Sequence, residues 1–190
     1  MESDRIKWNR RYESEESYLG LHPSPFLQRE IKRIRQLAPG RCAIDVACGE
    51  GRNSIFLAQH GFQVTGIDIS DTGLDKARKR AKDAGVDMDF QQVDLDGYIF
   101  TKRYDLIINF NFLLRDLIVE EFQALSPGGV LVFDTIMESD ELLTSHNPLY
   151  LLRQGELQRI FERLDGEILV SEELCSGEMP TARVLFQKST

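Results

Sequence analysis

Residues 43–53 read "AIDVACGEGRN". A short apolar run passes into a loop with two glycines and an acid, and then into residues with helical spacing. A nearly continuous apolar stretch is what a parallel strand covered on both faces requires. Gly49 and Gly51 let the backbone approach a ligand with no Cβ in the way. A helix starting after Gly51 points its free N–H groups, and the positive end of its dipole, at whatever binds. The stretch therefore predicts a nucleotide-type site at the carboxyl end of the first strand of an open α/β sheet. Ala47 stands where a further glycine would be expected.

Outward from this stretch, strands and helices alternate. Residues 1–20 are charged, with Trp8 and Tyr12 spaced to share one helical face. "HPSP" breaks the chain, and residues 26–37 follow with Phe26, Leu27, Ile31, Ile34 and Leu37 at helical spacing. Helices are predicted over 51–60, 70–84, 112–125 (ending at "SPGG") and 154–164, and strands at "CAIDVA", "FQVTGID", "MDFQQVD", "YDLIINF" and "VLVFDTI". "EILVSEEL" and "TARVLFQK" then follow across a loop too short for a helical crossover, as in an antiparallel pair. The pattern predicts a doubly wound α/β fold with right-handed crossovers. One domain is expected over 1–190.

A formal net charge of −8 argues against a general partner among nucleic acids or anionic membranes. Cys42, Cys48 and Cys175 form no CxxC pair, and His22, His60 and His146 are scattered, so we expect reduced thiols in a cytoplasmic protein and no metal site. "MESDRIKWNRRYESEE" is too charged for a signal peptide, and no apolar run is long enough to span a bilayer.

Two cofactors suit such a loop. NAD wants G-x-G-x-x-G/A, and "GEGRNS" comes close. S-adenosylmethionine carries an ammonium, a carboxylate and a sulfonium instead of phosphates. Asp45, just before the loop, is an odd neighbour for a pyrophosphate and a sensible one for an ammonium. Arg52 in a helix's first turn opposes the dipole; a ligand carboxylate, or a salt bridge to Glu50 or Asp45, would offset that. Both charges favour S-adenosylmethionine. Asp68 closes the second strand, where a carboxylate can accept from both ribose hydroxyls. Asp94 closes the third and can meet an adenine amino group, with Leu95 on the ring.

"AIDVACGEGRN", "GIDIS" and "SPGGVLVFDT" resemble the successive motifs of class I S-adenosylmethionine-dependent methyltransferases. "WNRRY", "PSPFL" and "HNPLYLLRQGELQRIF" resemble the tellurite-resistance-type branch of small methyltransferases. The resemblance implies a Rossmann-like seven-stranded sheet in the order 3-2-1-4-5-7-6 with strand seven antiparallel, and residues 1–22 as an N-terminal lid segment. It implies that Asp45, Ala47, Gly49 and Gly51 line the methionine end of the cofactor, Asp68 the ribose, and Asp94 and Leu95 the adenine. Cys48, Arg52, Asn53 and Ile69 beside them are expected as further cofactor contacts, and Asn109, Phe110 and Asn111, where the fourth strand ends, as neighbours of the sulfonium. It points to a small-molecule methyl acceptor among thiol, selenium or tellurium compounds. A His-Arg pair leading into the last strand, suited to hold an oxyanion, is missing; "MPTAR" leaves Arg183 alone.

Plainer readings stand beside these. The glycines could make only a tight turn. Ser70 and Asp71 are better helix caps than Asp68. Asp94 lies before Asp96-Gly97 and suits an ordinary turn. "KARKRAK" reads as a solvated helix face, and Cys48 as a small apolar contact. Trp8 and Tyr12 either pack on the core or close over the methyl group. Arg115 either faces the cleft or pairs with Asp116 or Glu120. Tyr12, Asn111, Arg115 and His146 are the candidates for the catalytic end. The rival functions are an NAD-dependent oxidoreductase, for which no Tyr-x-x-x-Lys pair is present, and a non-catalytic module that binds S-adenosylmethionine.

Overall fold

A computed structural model describes residues 2–14, 17–175 and 179–190. The alternation of apolar strands and amphipathic helices is realised from Cys42 onward, in two compact units: Met1–Gln36 with Gly40–Ile99, and Leu37–Pro39 with Phe100–Thr190.

The first unit contains α1 (Glu2–Ser14), α2 (Pro25–Leu37), β1 (Cys42–Val46), α3 (Arg52–Gln59), β2 (Gln63–Asp68), α4 (Asp71–Asp83) and β3 (Asp89–Gln92). β1 pairs with β2, and β2 with β3, all parallel, with Asp45 opposite Gly66 and Asp68 opposite Gln92. Ile44, Leu57, Ile67 and Leu74 are fully buried, each worth about 1.5–3 kcal/mol relative to exposure. Leu74, Ala77, Ala81 and Phe90 form one apolar cluster against which Cys48 packs. Ser70 caps α4, its hydroxyl accepting from Gly73 N at 3.0 Å; this satisfies one of the helix's unpaired amides. Pro25 opens α2, where a missing N–H is harmless.

The second unit contains β4 (Tyr104–Phe110), α5 (Arg115–Ala124), β5 (Leu125–Ile136), α6 (Asp140–Ser145), a turn of 3-10 helix (Pro148–Tyr150), α7 (Glu156–Phe161), β6 (Gly166–Leu174) and β7 (Thr181–Lys188). β4 and β5 are parallel, while β7 runs antiparallel to both β5 and β6. The terminal hairpin expected from the sequence is therefore present; residues 176–178 of its loop lie outside the described residues, as do 1, 15 and 16 of the expected N-terminal lid. The strands follow the order β3-β2-β1-β4-β5-β7-β6.

Helix and strand ends shift by a few residues, and the larger differences have identifiable causes. α5 begins at Arg115 rather than 112, because residues 111–114 form the turn out of β4. β5 starts before "SPGG" rather than after it: Leu125 pairs with Tyr104, then the register shifts, with Gly128 at φ 72°. α6 was not expected. Ser139 caps it, accepting from Leu142 N, and Asp140 and Glu141 occupy its first turn, where acids suit the dipole. No helix among the described residues is long and apolar enough to cross a membrane.

Candidate active site

The loop that leaves β1 is shaped by three left-handed residues: Ala47 at φ 55°, Gly49 at φ 54° and Gly51 at φ 78°. For Ala47 this conformation costs roughly 1–2 kcal/mol, so the expected glycine position is real and the alanine tolerates strain. Gly51 answers to packing: a Cβ there would stand 2.9 Å from Ala77 Cβ. At Gly49 a Cβ would stand 2.5 Å from the Tyr12 hydroxyl oxygen.

Asp68 binds the loop to the end of β2. Its carboxylate accepts from Gly49 N and from Ser70 N, both at 2.8 Å. It is 5% exposed. Burial raises its pKa, with the Ser70 and Gly49 amides pulling the other way. Asp45 is also buried, and it accepts from Ser54 Oγ at 2.5 Å. Burial pushes its pKa up to about 7; the Ser54 bond opposes this and the charge of Asp68 adds to it. Cys48 is half-buried in the apolar cluster, its thiol pushed upward by burial, as befits a small apolar contact. Ile69 follows Asp68, and its carbonyl accepts from Gln92 Nε2. Leu95 is buried, while Asp94 is exposed and accepts from Asp96 N, the geometry of the ordinary turn.

α1 lies over this loop. Tyr12, 6% exposed, covers Gly49 and Gly73. Its phenol is pushed upward in pKa by burial, with Asp68 the largest charge acting on it. Asn9 donates to Asp71 and accepts from the Ser70 hydroxyl. Trp8 stacks on Tyr12 at 5.9 Å, and Tyr18 meets both rings edge-on. The segment after α1 is secured by Glu50, whose buried carboxylate accepts from Tyr18 N at 2.9 Å and pairs with Lys76 and Arg80 at 3.2 Å each.

Several expectations need correction here. "KARKRAK" is not simply a solvated face: Lys76 and Arg80, one helical turn apart, point inward to Glu50. Arg52 donates to the carbonyls of Leu19 and His22, and its charge acts on Asp45. Asn53 accepts from Ser24 N, so its amide secures the entry to α2.

In the second unit, Phe110 is buried, and exposed Asn111 closes β4 in a left-handed conformation at φ 58°, its N–H donating to Asp134 O. The Asn109 amide points into the core, donating to Glu121 Oε1 at 2.8 Å. Arg115 pairs with neither Asp116 nor Glu120. It forms a two-pronged pair with Glu156 at 2.6 and 3.1 Å and donates to the carbonyls of Leu149 and Leu151. His22 and His146 are exposed, with His146 Nδ1 against Ser145 Oγ. Sequence reading missed Glu121, and it named Glu50 only as a partner for Arg52. The signal for Glu121 was its spacing from Leu117 and Ile118, which puts it on the apolar stripe.

A parallel sheet with an antiparallel seventh strand, a glycine loop after β1 and an acid closing β2 define a Rossmann-like nucleoside-binding class. A methyltransferase-domain family model matches residues 43–129. The ubiquinone biosynthesis O-methyltransferase of Nitrosococcus oceani is 30% identical over 135 residues, covering 67% of this chain and 57% of the relative. The protein of the same name from Actinobacillus pleuropneumoniae is 34% identical over 108 residues, covering 51% and 46%. The chain thus spans about half the length of these relatives. Among solved structures, TehB from Haemophilus influenzae superposes with a TM-score of 0.71 at 20% identity, covering 85% of this chain and 62% of that one. Magnesium protoporphyrin IX methyltransferase from Synechocystis, with bound SAH, gives 0.67 at 18% identity, covering 98% and 95%; these two likenesses are of fold. Residues 43–129 thus carry a methyltransferase domain, and the fold is that of the class I S-adenosylmethionine-dependent methyltransferases.

Proposed function

We propose that this chain is a single-domain cytoplasmic enzyme that transfers a methyl group from S-adenosylmethionine to a small-molecule acceptor. The observation that carries the reading is the Asp68–Gly49 bond, which makes the loop and the acid closing β2 one preorganised unit. The donor set fits the cofactor. Asp68, already fixed by two amides, keeps lone pairs for ribose hydroxyls. Asp45 suits an ammonium, Leu95 offers an apolar surface for adenine, and no cluster of cations is required.

When bound, the cofactor supplies an electrophilic methyl on a sulfonium. The chain's own part is to hold and exclude. Tyr12 and α1 act as a lid that keeps water from the loop, and an aromatic face over a cation contributes about 0.5–2 kcal/mol. Holding two reactants in line supplies roughly 7–11 kcal/mol of barrier reduction. A soft nucleophile needs no general base. The relatives named as O-methyltransferases favour an oxygen acceptor, whereas the TehB-like fold and motifs favour thiol, selenium or tellurium compounds.

The test is thermal shift with S-adenosylhomocysteine and with NAD, on the native chain and on Asp68→Ala. Stabilisation by the adenosyl ligand of the native chain alone supports the reading. Equal stabilisation of both proteins refutes the placement of the ribose, and stabilisation by NAD alone refutes the cofactor. A labelled-methyl screen over phenols, thiols and selenium and tellurium oxyanions then decides the acceptor.

A further inference from the structure

Glu121 of α5 is fully buried and Asn109 of β4 is 1% exposed. One hydrogen bond joins them, from Asn109 Nδ2 to Glu121 Oε1 at 2.8 Å. The other polar atom of each group, Asn109 Oδ1 and Glu121 Oε2, is buried without a partner. An amide oxygen only accepts, and so does an ionised carboxylate oxygen. If both atoms acted only as acceptors, both would stay unsatisfied, which native cores avoid. A proton on Oε2 resolves both at once, because Oε2–H then donates to Oδ1 while Nδ2–H donates to Oε1.

We infer that Glu121 is a neutral acid in the folded chain, closed with the Asn109 amide into a cyclic acid–amide pair, and that this proton fixes the carboxyl end of β4. The surroundings agree. Burial pushes the Glu121 carboxyl up to about 8, and only the Asn109 bond opposes it. The basic groups on neighbouring elements are engaged elsewhere. Arg115 on the same helix is taken by Glu156 of α7. Lys188 of β7 donates to the carbonyls of Phe122 and Leu125, and Arg103 to those of Gln123 and Leu125. Asp105 of β4 and Asp134 of β5 are the acids of the paired strands.

The consequence is an alkaline switch in the second unit. Asn109 directly precedes Phe110 and Asn111, so losing the proton sets two oxygens against each other at the point where β4 ends. Glu121 is thus a positioning residue acting through Asn109.

The experiment is carbon-detected NMR of the Glu121 carboxyl in the native chain, with melting temperature followed from pH 5 to 9 in the native chain and in Glu121→Gln. Glutamine keeps the geometry, and its Nε2–H2 supplies the second donor at every pH. We expect a protonated-acid shift at pH 6 that titrates near 8. We also expect the melting temperature of the native chain to fall relative to that of Glu121→Gln as pH rises. A carboxylate shift at pH 6 overturns the inference and assigns the space between the oxygens to a water or cation. Parallel melting profiles of the two proteins overturn it independently.

Discussion

The two units each bury a carboxylate, Asp68 at the end of β2 and Glu121 on α5 against Asn109 of β4, and they treat them differently. Asp68 is met by two backbone amides, from Gly49 and Ser70. Glu121 is met by one side-chain amide. Backbone N–H groups of a fixed loop are donors that cannot turn away, so an acid among them can stay ionised and still accept from a ligand. A lone side-chain amide can face its partner with one N–H and its C=O, and the partner answers both only as a carboxylic acid. The first arrangement suits the binding group proposed at Asp68, whereas the second is the proton-dependent core contact inferred at Glu121.

The comparison predicts its largest effect at Asp68. Hydrogen bonds to charged groups contribute about 1.5–3 kcal/mol each, so losing two to the ribose in Asp68→Ala weakens S-adenosylhomocysteine binding by roughly 100-fold or more. Calorimetry on this variant beside Glu121→Gln tests it; a comparable loss in both would erase the distinction between the units. Next, Asn109→Leu leaves Glu121 without a partner and destabilises the fold by about 2–3 kcal/mol, measured by urea unfolding at pH 6. Asn109→Leu and Glu121→Leu combined should recover much of that loss.

The acids also set a pH dependence. Glu121 and Asp45 have folded pKa values of about 8 and about 7, above their ordinary 4.5 and 3.8. The folded chain therefore binds more protons than the unfolded chain in those windows. Stability from each acid is complete below its ordinary value and declines by about 1.4 kcal/mol per pH unit. The loss levels off above the folded pKa. For Asp45 a cationic ligand reverses the preference: an ammonium favours the ionised form, so affinity for S-adenosylmethionine should rise with pH up to about 7, by up to about tenfold per unit. A flat affinity profile would remove Asp45 from the methionine end. Smaller still, Glu50→Gln should loosen α1 by about 1 kcal/mol, read as faster amide exchange across residues 2–14 with α4 unchanged. Ala47→Gly should relieve strain and raise stability by up to about 1 kcal/mol.

The fold was legible because its signals are periodic. Apolar runs such as "CAIDVA" and "YDLIINF" had no solvent-facing alternation, and the short link before "TARVLFQK" excluded a crossover. The strand–loop–helix turn was legible because glycines and acids stand at fixed offsets after an apolar run. What stayed hidden are partners set by three-dimensional approach. Nothing in "GEGRN" says that Glu50 will gather Lys76, Arg80 and the backbone of Tyr18, since those contacts span long stretches of chain. Arg115 finds Glu156 for the same reason. In "IVEEFQAL" two adjacent glutamates look equally wet; helical phase alone separates buried Glu121 from its exposed neighbour Glu120.

Gly51 and Ala77 press on each other across the first unit, with 2.9 Å between the methyl of one and the Cβ the other lacks. The nucleoside loop and the middle of α4 therefore share one allotment of volume. A larger side chain at 77, on a helix with no ligand role of its own, would be transmitted as a displaced loop. In a family tree the two positions should drift together, and a lineage that enlarges one without shrinking the other should be missing.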